Sequence, residues 1–123
     1  MSETLDEPTE RKLALNQVLF REVNEQIRSL SGRFGPEERL ELVCECSQGS
    51  CMSPLEIPLP LYEEVRRTPT RFFVAPGHEI PEIECVVKAT SVYNVVEKFG
   101  AAAPVAARMD PRGHRSHSQA AAV

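Results

Sequence analysis

Three of the chain's four cysteines, Cys44, Cys46 and Cys51, fall within eight residues, and this run constrains the fold more than any other feature. Thiols at i and i+2 of an extended segment share a face. The polar stretch from Ser47 to Ser50 holds Gly49 and can turn the chain so that Cys51 returns to that face. Three thiols on one face are most of a tetrahedral metal site, which in proteins is commonly Cys₃His or Cys₄. Two residues can complete it. His78 follows a Pro76-Gly77 turn at the end of an expected strand, and Cys85 lies in the next expected strand. His78 is preferred because a Cys₃His site with Zn²⁺ carries one negative charge rather than two and costs less to enclose.

Other uses of the cysteines fit less well. A Cys44–Cys46 bridge would close a strained, very small ring, and any pairing with Cys51 leaves an odd thiol. Buried apolar cysteines would not be expected among Glu45, Ser47, Gln48 and Ser50. An iron–sulfur cluster, a redox thiol and a Cys–His nucleophile with His78 as base remain as alternatives. A catalytic zinc would need an open coordination position and a base such as Glu79 or Glu45, whereas the residues at hand suffice for a closed site.

The chain has 123 residues, ten prolines and a 41% hydrophobic fraction, which sets an expectation of one modest core. In a core that small a metal staple adds usefully to stability. The net charge of −4 argues against a field that would draw the chain onto nucleic acid or anionic lipid. The one basic and aromatic cluster, Arg66, Arg67, Arg71 and Phe72, is small, and its arginines are expected to pair with Glu63 and Glu64. The acidic amino terminus lacks a signal-peptide pattern and no segment has the apolar length of a membrane span. The expectation is a cytoplasmic protein, where reducing conditions favour metal over disulfide.

The element pattern is α+β. Residues 1–8 read as a disordered lead-in, with Thr9 capping a long amphipathic helix that ends at Gly32. Phe20, Val23, Ile27 and Leu30, extended by Leu13, Leu15 and Leu19, form its apolar stripe, and Arg21, Glu22, Glu25 and Arg28 its polar face. Such a stripe ordinarily covers a sheet; it can also dock a partner protein or a second copy of the chain. A loop over Arg33 to Glu38 leads to alternating residues from Leu40, a strand entering the cysteine run. Leu55 to Leu59 is a second extended piece, placed at an edge by Pro58, and Pro60 starts a short second helix. Strands follow over 71–75, 83–88 and 92–98, the last two as a hairpin, giving a small, mostly antiparallel sheet. The single zinc-stapled domain is expected to span residues 9–100. Beyond it, 101–123 reads as a mostly disordered basic tail with a charge of +2. His114 and His117 there lack a third ligand nearby in sequence.

Phe20 to Ile27, Val43-Cys44-Glu45-Cys46 with Cys51, Tyr62 to Arg66, Arg71-Phe72, Val74, Pro76 to Glu79 and Val95 to Lys98 resemble a group of small bacterial, mainly actinobacterial, proteins. The resemblance spans roughly Phe20 to Arg112 and is most specific at C-E-C and P-G-H-E. It implies that Cys44, Cys46, Cys51 and His78 act as a set without Cys85, and it brings no activity with it.

The functional expectation is a small, non-enzymatic, Zn²⁺-binding domain that acts as a protein-interaction or regulatory adaptor through the long helix or the basic tail. Arg21, Arg28, Arg66 and Arg67 are taken as its solvent-facing charges. A thiol/zinc redox sensor is the alternative, followed by a Cys–His enzyme.

Overall fold

The long helix α1 (Glu7–Leu30) begins earlier than Thr9. Asp6 is the residue that caps it: its carboxylate accepts from the Thr9 amide at 2.9 Å and its carbonyl from the Glu10 amide at 2.9 Å. Pro8 therefore sits in the first turn, where a missing amide donor costs nothing. The computed structural model describes residues 6–30, 39–46, 51 and 53–112. The Gly32 cap, the loop over 33–38, the turn over 47–50 and the pair His114 and His117 lie outside the described residues.

The remaining described elements run as two strands, a helix, three strands and a last helix. β1 (Arg39–Val43) pairs antiparallel with β2 (Pro54–Pro58), Leu40 opposite Ile57 and Leu42 opposite Leu55. α2 (Leu59–Val65) follows at once, with Pro60 in its first turn. β3 (Arg71–Val74), β4 (Glu84–Ala89) and β5 (Asn94–Lys98) form a second antiparallel sheet in the order β3-β5-β4. A register shift between Val86 and Lys88 marks a bulge in β4. The α+β class and the β4–β5 hairpin are as expected, but the strands form two small sheets rather than one.

The apolar core lies between these layers. Leu40, Leu42, Leu55 and Ile57 meet Tyr62, Phe72, Phe73, Val95 and Val96, and the Tyr62 and Phe73 rings stack with centroids 5.9 Å apart. Cys44 and Cys46 belong to the same cluster, so the cysteine run is built into the core.

α1 packs differently from the expectation. Its buried residues are Ala14, Gln17, Val18, Arg21, Asn24 and Glu25, which fall on one side of a helix with 3.6 residues per turn. Leu15, Leu19, Val23 and Leu30 fall on the opposite side and are 44%, 65%, 42% and 85% exposed. Only the margins of the expected stripe, Leu13 and Ile27, pack against the buried clusters.

The polar inner face is held by specific partners. Arg21, taken as solvent-facing, is fully buried: its guanidinium donates to the carbonyls of Pro69 at 2.6 Å and Ala106 at 2.9 Å and lies over the Phe72 ring. Glu25 accepts from the Tyr62 hydroxyl and from Arg66 and Arg112. Arg66 is also buried and pairs with Asp110. Gln17 donates to Glu84, whose carboxylate also pairs with the buried Lys98. Arg67 is exposed as expected, while Arg28 is half-buried and donates to Glu63 at 2.9 Å.

The fold does not end at Gly100. α3 (Ala102–Arg108) buries Ala102, Val105 and Ala106, and Val105 and Ala102 share a cluster with Ala14 of α1. Pro104 does not prevent this helix because it stands in the first turn. Arg112 then forks onto Glu63 at 2.8 and 3.1 Å and reaches Glu25 at 2.7 Å. The expected tail is thus part of the packed structure through Arg112.

Candidate metal centre

The cysteine run connects β1 to β2. The Cys44 amide donates to the Ser53 carbonyl at 2.9 Å, which pins the two ends of the connection together. The same segment runs along the outer edge of β3: the Glu45 amide donates to the Phe73 carbonyl at 2.8 Å, and the Ala75 amide to Cys44 Sγ at 3.1 Å. One sulfur thus already accepts a backbone hydrogen bond.

His78 arrives from the other sheet. The chain turns at Ala75-Pro76-Gly77-His78, with the His78 amide donating to the Ala75 carbonyl at 2.9 Å and Gly77 at φ 87°. Proline followed by a glycine of positive φ is the type II arrangement, so the turn chemistry aims the imidazole back across β3. Its Nδ1 lies 3.5 Å from Cys44 Sγ and 3.5 Å from Cys51 Sγ. The donor atoms of Cys44, Cys46, Cys51 and His78 all lie within 4.8 Å of one another, and together they could hold a metal ion. The residues predicted as a set are brought together. Cys85 is not among them; it is exposed on β4, and none of the four cysteines is in a disulfide.

The four donors differ in exposure. Cys44 and Cys46 are buried, whereas Cys51 and His78 are partly exposed. Burial pushes the Cys44 thiol well above the ordinary range of a cysteine. At Cys51 burial acts in the same direction, but hydrogen bonds with the Ser53 amide and hydroxyl and with Cys46 and Cys44 outweigh it and bring the thiol to about 7.

The carboxylates considered as catalytic bases are engaged elsewhere. Glu45 is buried and accepts from the Phe73 amide at 2.9 Å and from Asn24 at 2.7 Å. Glu79 accepts from the Gly77 amide at 3.1 Å and from Asn94 at 3.4 Å. Asn24 was not singled out in the sequence, yet its amide donates to the Val43 carbonyl at 2.8 Å and accepts from the Val43 amide at 2.9 Å. It clamps α1 to the residue preceding Cys44. The available signal was a poor helix former in a helix interior, which calls for a tertiary reason.

The chain matches no protein-family model, no curated protein and no solved structure. No helix among the described residues is long and apolar enough to cross a membrane.

Proposed function

We propose that the chain is a small, non-enzymatic domain stapled by one Zn²⁺ on Cys44, Cys46, Cys51 and His78, and that it works by binding another protein in the cytoplasm. The observation that carries the metal reading is the spacing of the donors. Zinc takes thiolate at about 2.3 Å and imidazole at about 2.0–2.1 Å, so the sulfur-to-nitrogen edge of its tetrahedron is about 3.6 Å. The edges from His78 Nδ1 to Cys44 and Cys51 Sγ are both 3.5 Å, and all four donor atoms lie within 4.8 Å of one another. The Ala75 amide on Cys44 Sγ is the outer hydrogen bond that a thiolate ligand uses to disperse charge. Zinc would neutralise thiols that are otherwise costly to ionise in the core, and its binding energy would be folding energy.

The shared nitrogen argues for a closed site over a catalytic dyad. His78 Nδ1 is equally close to Cys44 and Cys51, which suits a ligand, whereas a nucleophile needs one base of its own. The protein-binding reading rests on α1, whose outward face is apolar. Elemental analysis of protein purified without added metal tests the site. One zinc per chain is expected, retained in Cys85→Ser and lost in Cys46→Ser and His78→Ala. Iron with acid-labile sulfide, or loss of zinc in Cys85→Ser with retention in His78→Ala, would defeat the assignment.

One observation favours a redox sensor as the second reading. Cys51 is the partly exposed thiol of the set, while Cys44 and Cys46 are buried, so peroxide would reach it first. Zinc release at low peroxide, reversed by reductant, would select the sensor over the staple.

A further inference from the structure

We propose that Cys51 is the exchangeable ligand of the metal site, and that zinc enters and leaves the chain there by substitution of one thiolate for another, the incoming one supplied by a small thiol. The inference rests on the reading of Cys44, Cys46, Cys51 and His78 as a zinc site and adds the route by which that site is loaded and emptied.

The four ligands divide into an inner pair and an outer pair. Cys44 and Cys46 are 0% and 1% exposed, and the segment that carries them is fastened along β3. The Glu45 amide donates to the Phe73 carbonyl at 2.8 Å, the Glu45 carboxylate accepts from the Phe73 amide at 2.9 Å, and the Ala75 amide donates to Cys44 Sγ at 3.1 Å. The inner sulfurs cannot swing away unless that edge parts, and a close-packed core admits no outside ligand to them. Cys51 and His78 are partly exposed, so an outside ligand approaches on their side. There is room for it: a Cβ placed on Gly77, beside His78, would meet no atom within 4 Å other than those of its chain neighbours.

Charge decides which of the outer pair is replaced. A thiolate in the place of Cys51 leaves three thiolates and one imidazole, with the net charge of the site unchanged. In the place of His78 it would make four thiolates and add a negative charge beside the core, which costs more. Thiol is the class that fits because it matches Cys51 in both charge and softness, whereas a carboxylate matches the charge alone. The departing sulfur also keeps a partner. Ser53 Oγ lies 3.6 Å from Cys51 Sγ, and a hydroxyl donates to a thiolate and accepts from a thiol. One Zn–S bond forms to the external sulfur and the one to Cys51 breaks, the external thiol gives up a proton and Cys51 takes one, and nothing is oxidised or reduced.

Chemical rescue tests this, with Co²⁺ in place of Zn²⁺ so that the sulfur-to-metal charge-transfer band counts bound thiolates. Cys51→Ala is expected to bind Co²⁺ with the band of two thiolates rather than three, and 2-mercaptoethanol is expected to restore the wild-type intensity. Cys44→Ala, whose gap lies in the core, is expected not to recover. That variant removes a core residue as well as a ligand, so the wild type supplies a second measurement: transfer of zinc from the intact chain to a chromogenic chelator, at a rate expected to rise in proportion to 2-mercaptoethanol. No restored band in Cys51→Ala, equal recovery in Cys44→Ala, or a transfer rate indifferent to the thiol would overturn the proposal. Zinc content of the wild type, measured first, reads the site separately. One zinc per chain with release indifferent to the thiol defeats the exchange route alone, whereas no zinc defeats the reading on which it rests.

Discussion

The cysteine run and the inner face of α1 hold the same core from two sides by opposite means. Around the metal site, three thiols close in sequence and one imidazole 27 residues beyond Cys51 converge on one point. Along α1, residues up to 87 positions apart are joined by charges and amides, as Arg112 is to Glu25 and Arg21 to Ala106. The first arrangement can gain its energy from a single metal; the second draws it from the mutual pairing of buried polar groups, where losing one partner weakens the others. A metal site is therefore broken all at once, and a polar seam by degrees.

Removing the metal is the largest expected effect. Chelation of the zinc-loaded protein should destabilise it by more than about 5 kcal/mol, above the usual cost of one core truncation, and added zinc should restore the thermal transition. An unchanged transition would mean that the apolar core and the polar seam carry the fold between them.

Truncating the seam comes next. Arg66→Ala takes away the ion-pair partner of the buried Asp110 and one of the three donors to Glu25, and should cost about 3–5 kcal/mol by urea denaturation with zinc content unchanged. The neighbouring exposed Arg67→Ala should change stability by about 0.5 kcal/mol or less. Equal effects at the two positions would contradict the burial of Arg66.

Asn24→Ala sharpens the comparison because Asn24 belongs to both regions. It holds Val43 and Glu45 at the edge of the metal site from a position on α1. A loss of about 1–3 kcal/mol is expected, together with roughly tenfold weaker zinc binding in a competition assay. Lost stability with unchanged zinc affinity would show that the regions are independent.

The smallest effect is a pH dependence of the Arg112 fork. Burial works to raise the carboxyl of Glu25, but the Tyr62 hydroxyl, Arg112 and Arg66 outweigh it and hold it below the ordinary range; Glu63 is lowered chiefly by Arg112. Depressed carboxylates give stability that is present above their unfolded pKa and lost as pH falls through the folded one. The stability difference between wild type and Arg112→Gln should thus be near 1 kcal/mol at neutral pH and shrink below about pH 4.5. Glu45, raised by burial, works in the opposite sense in both proteins and cancels from the difference.

Legibility followed the range of the interaction. The strands, the short helix after Pro58 and the turn at Pro76-Gly77 were readable because alternation and turn chemistry are local. The meeting of Cys44, Cys46, Cys51 and His78 was readable because few residue types suit a metal. α1 was misread in orientation because its periodicity is sound but double: apolar residues repeat on one face and Gln17, Arg21, Asn24 and Glu25 on the other, and the partners that bury the polar face lie far off in sequence. Arg21 and Arg66 looked like surface charges for the same reason. The segment from Ala102 to Arg112 looked like a tail because alanines bury little area each; what seats it is the pairing of Asp110 and Arg112 with α2 and α1.

The central claim is that one zinc is held by three thiolates and one imidazole. X-ray absorption at the zinc edge, on protein purified without added metal, reads that coordination directly. The expected shell is three sulfurs at about 2.3 Å and one nitrogen at about 2.0–2.1 Å. Four sulfurs would bring in Cys85 against its position on β4, and a shell of nitrogen and oxygen alone would contradict the account.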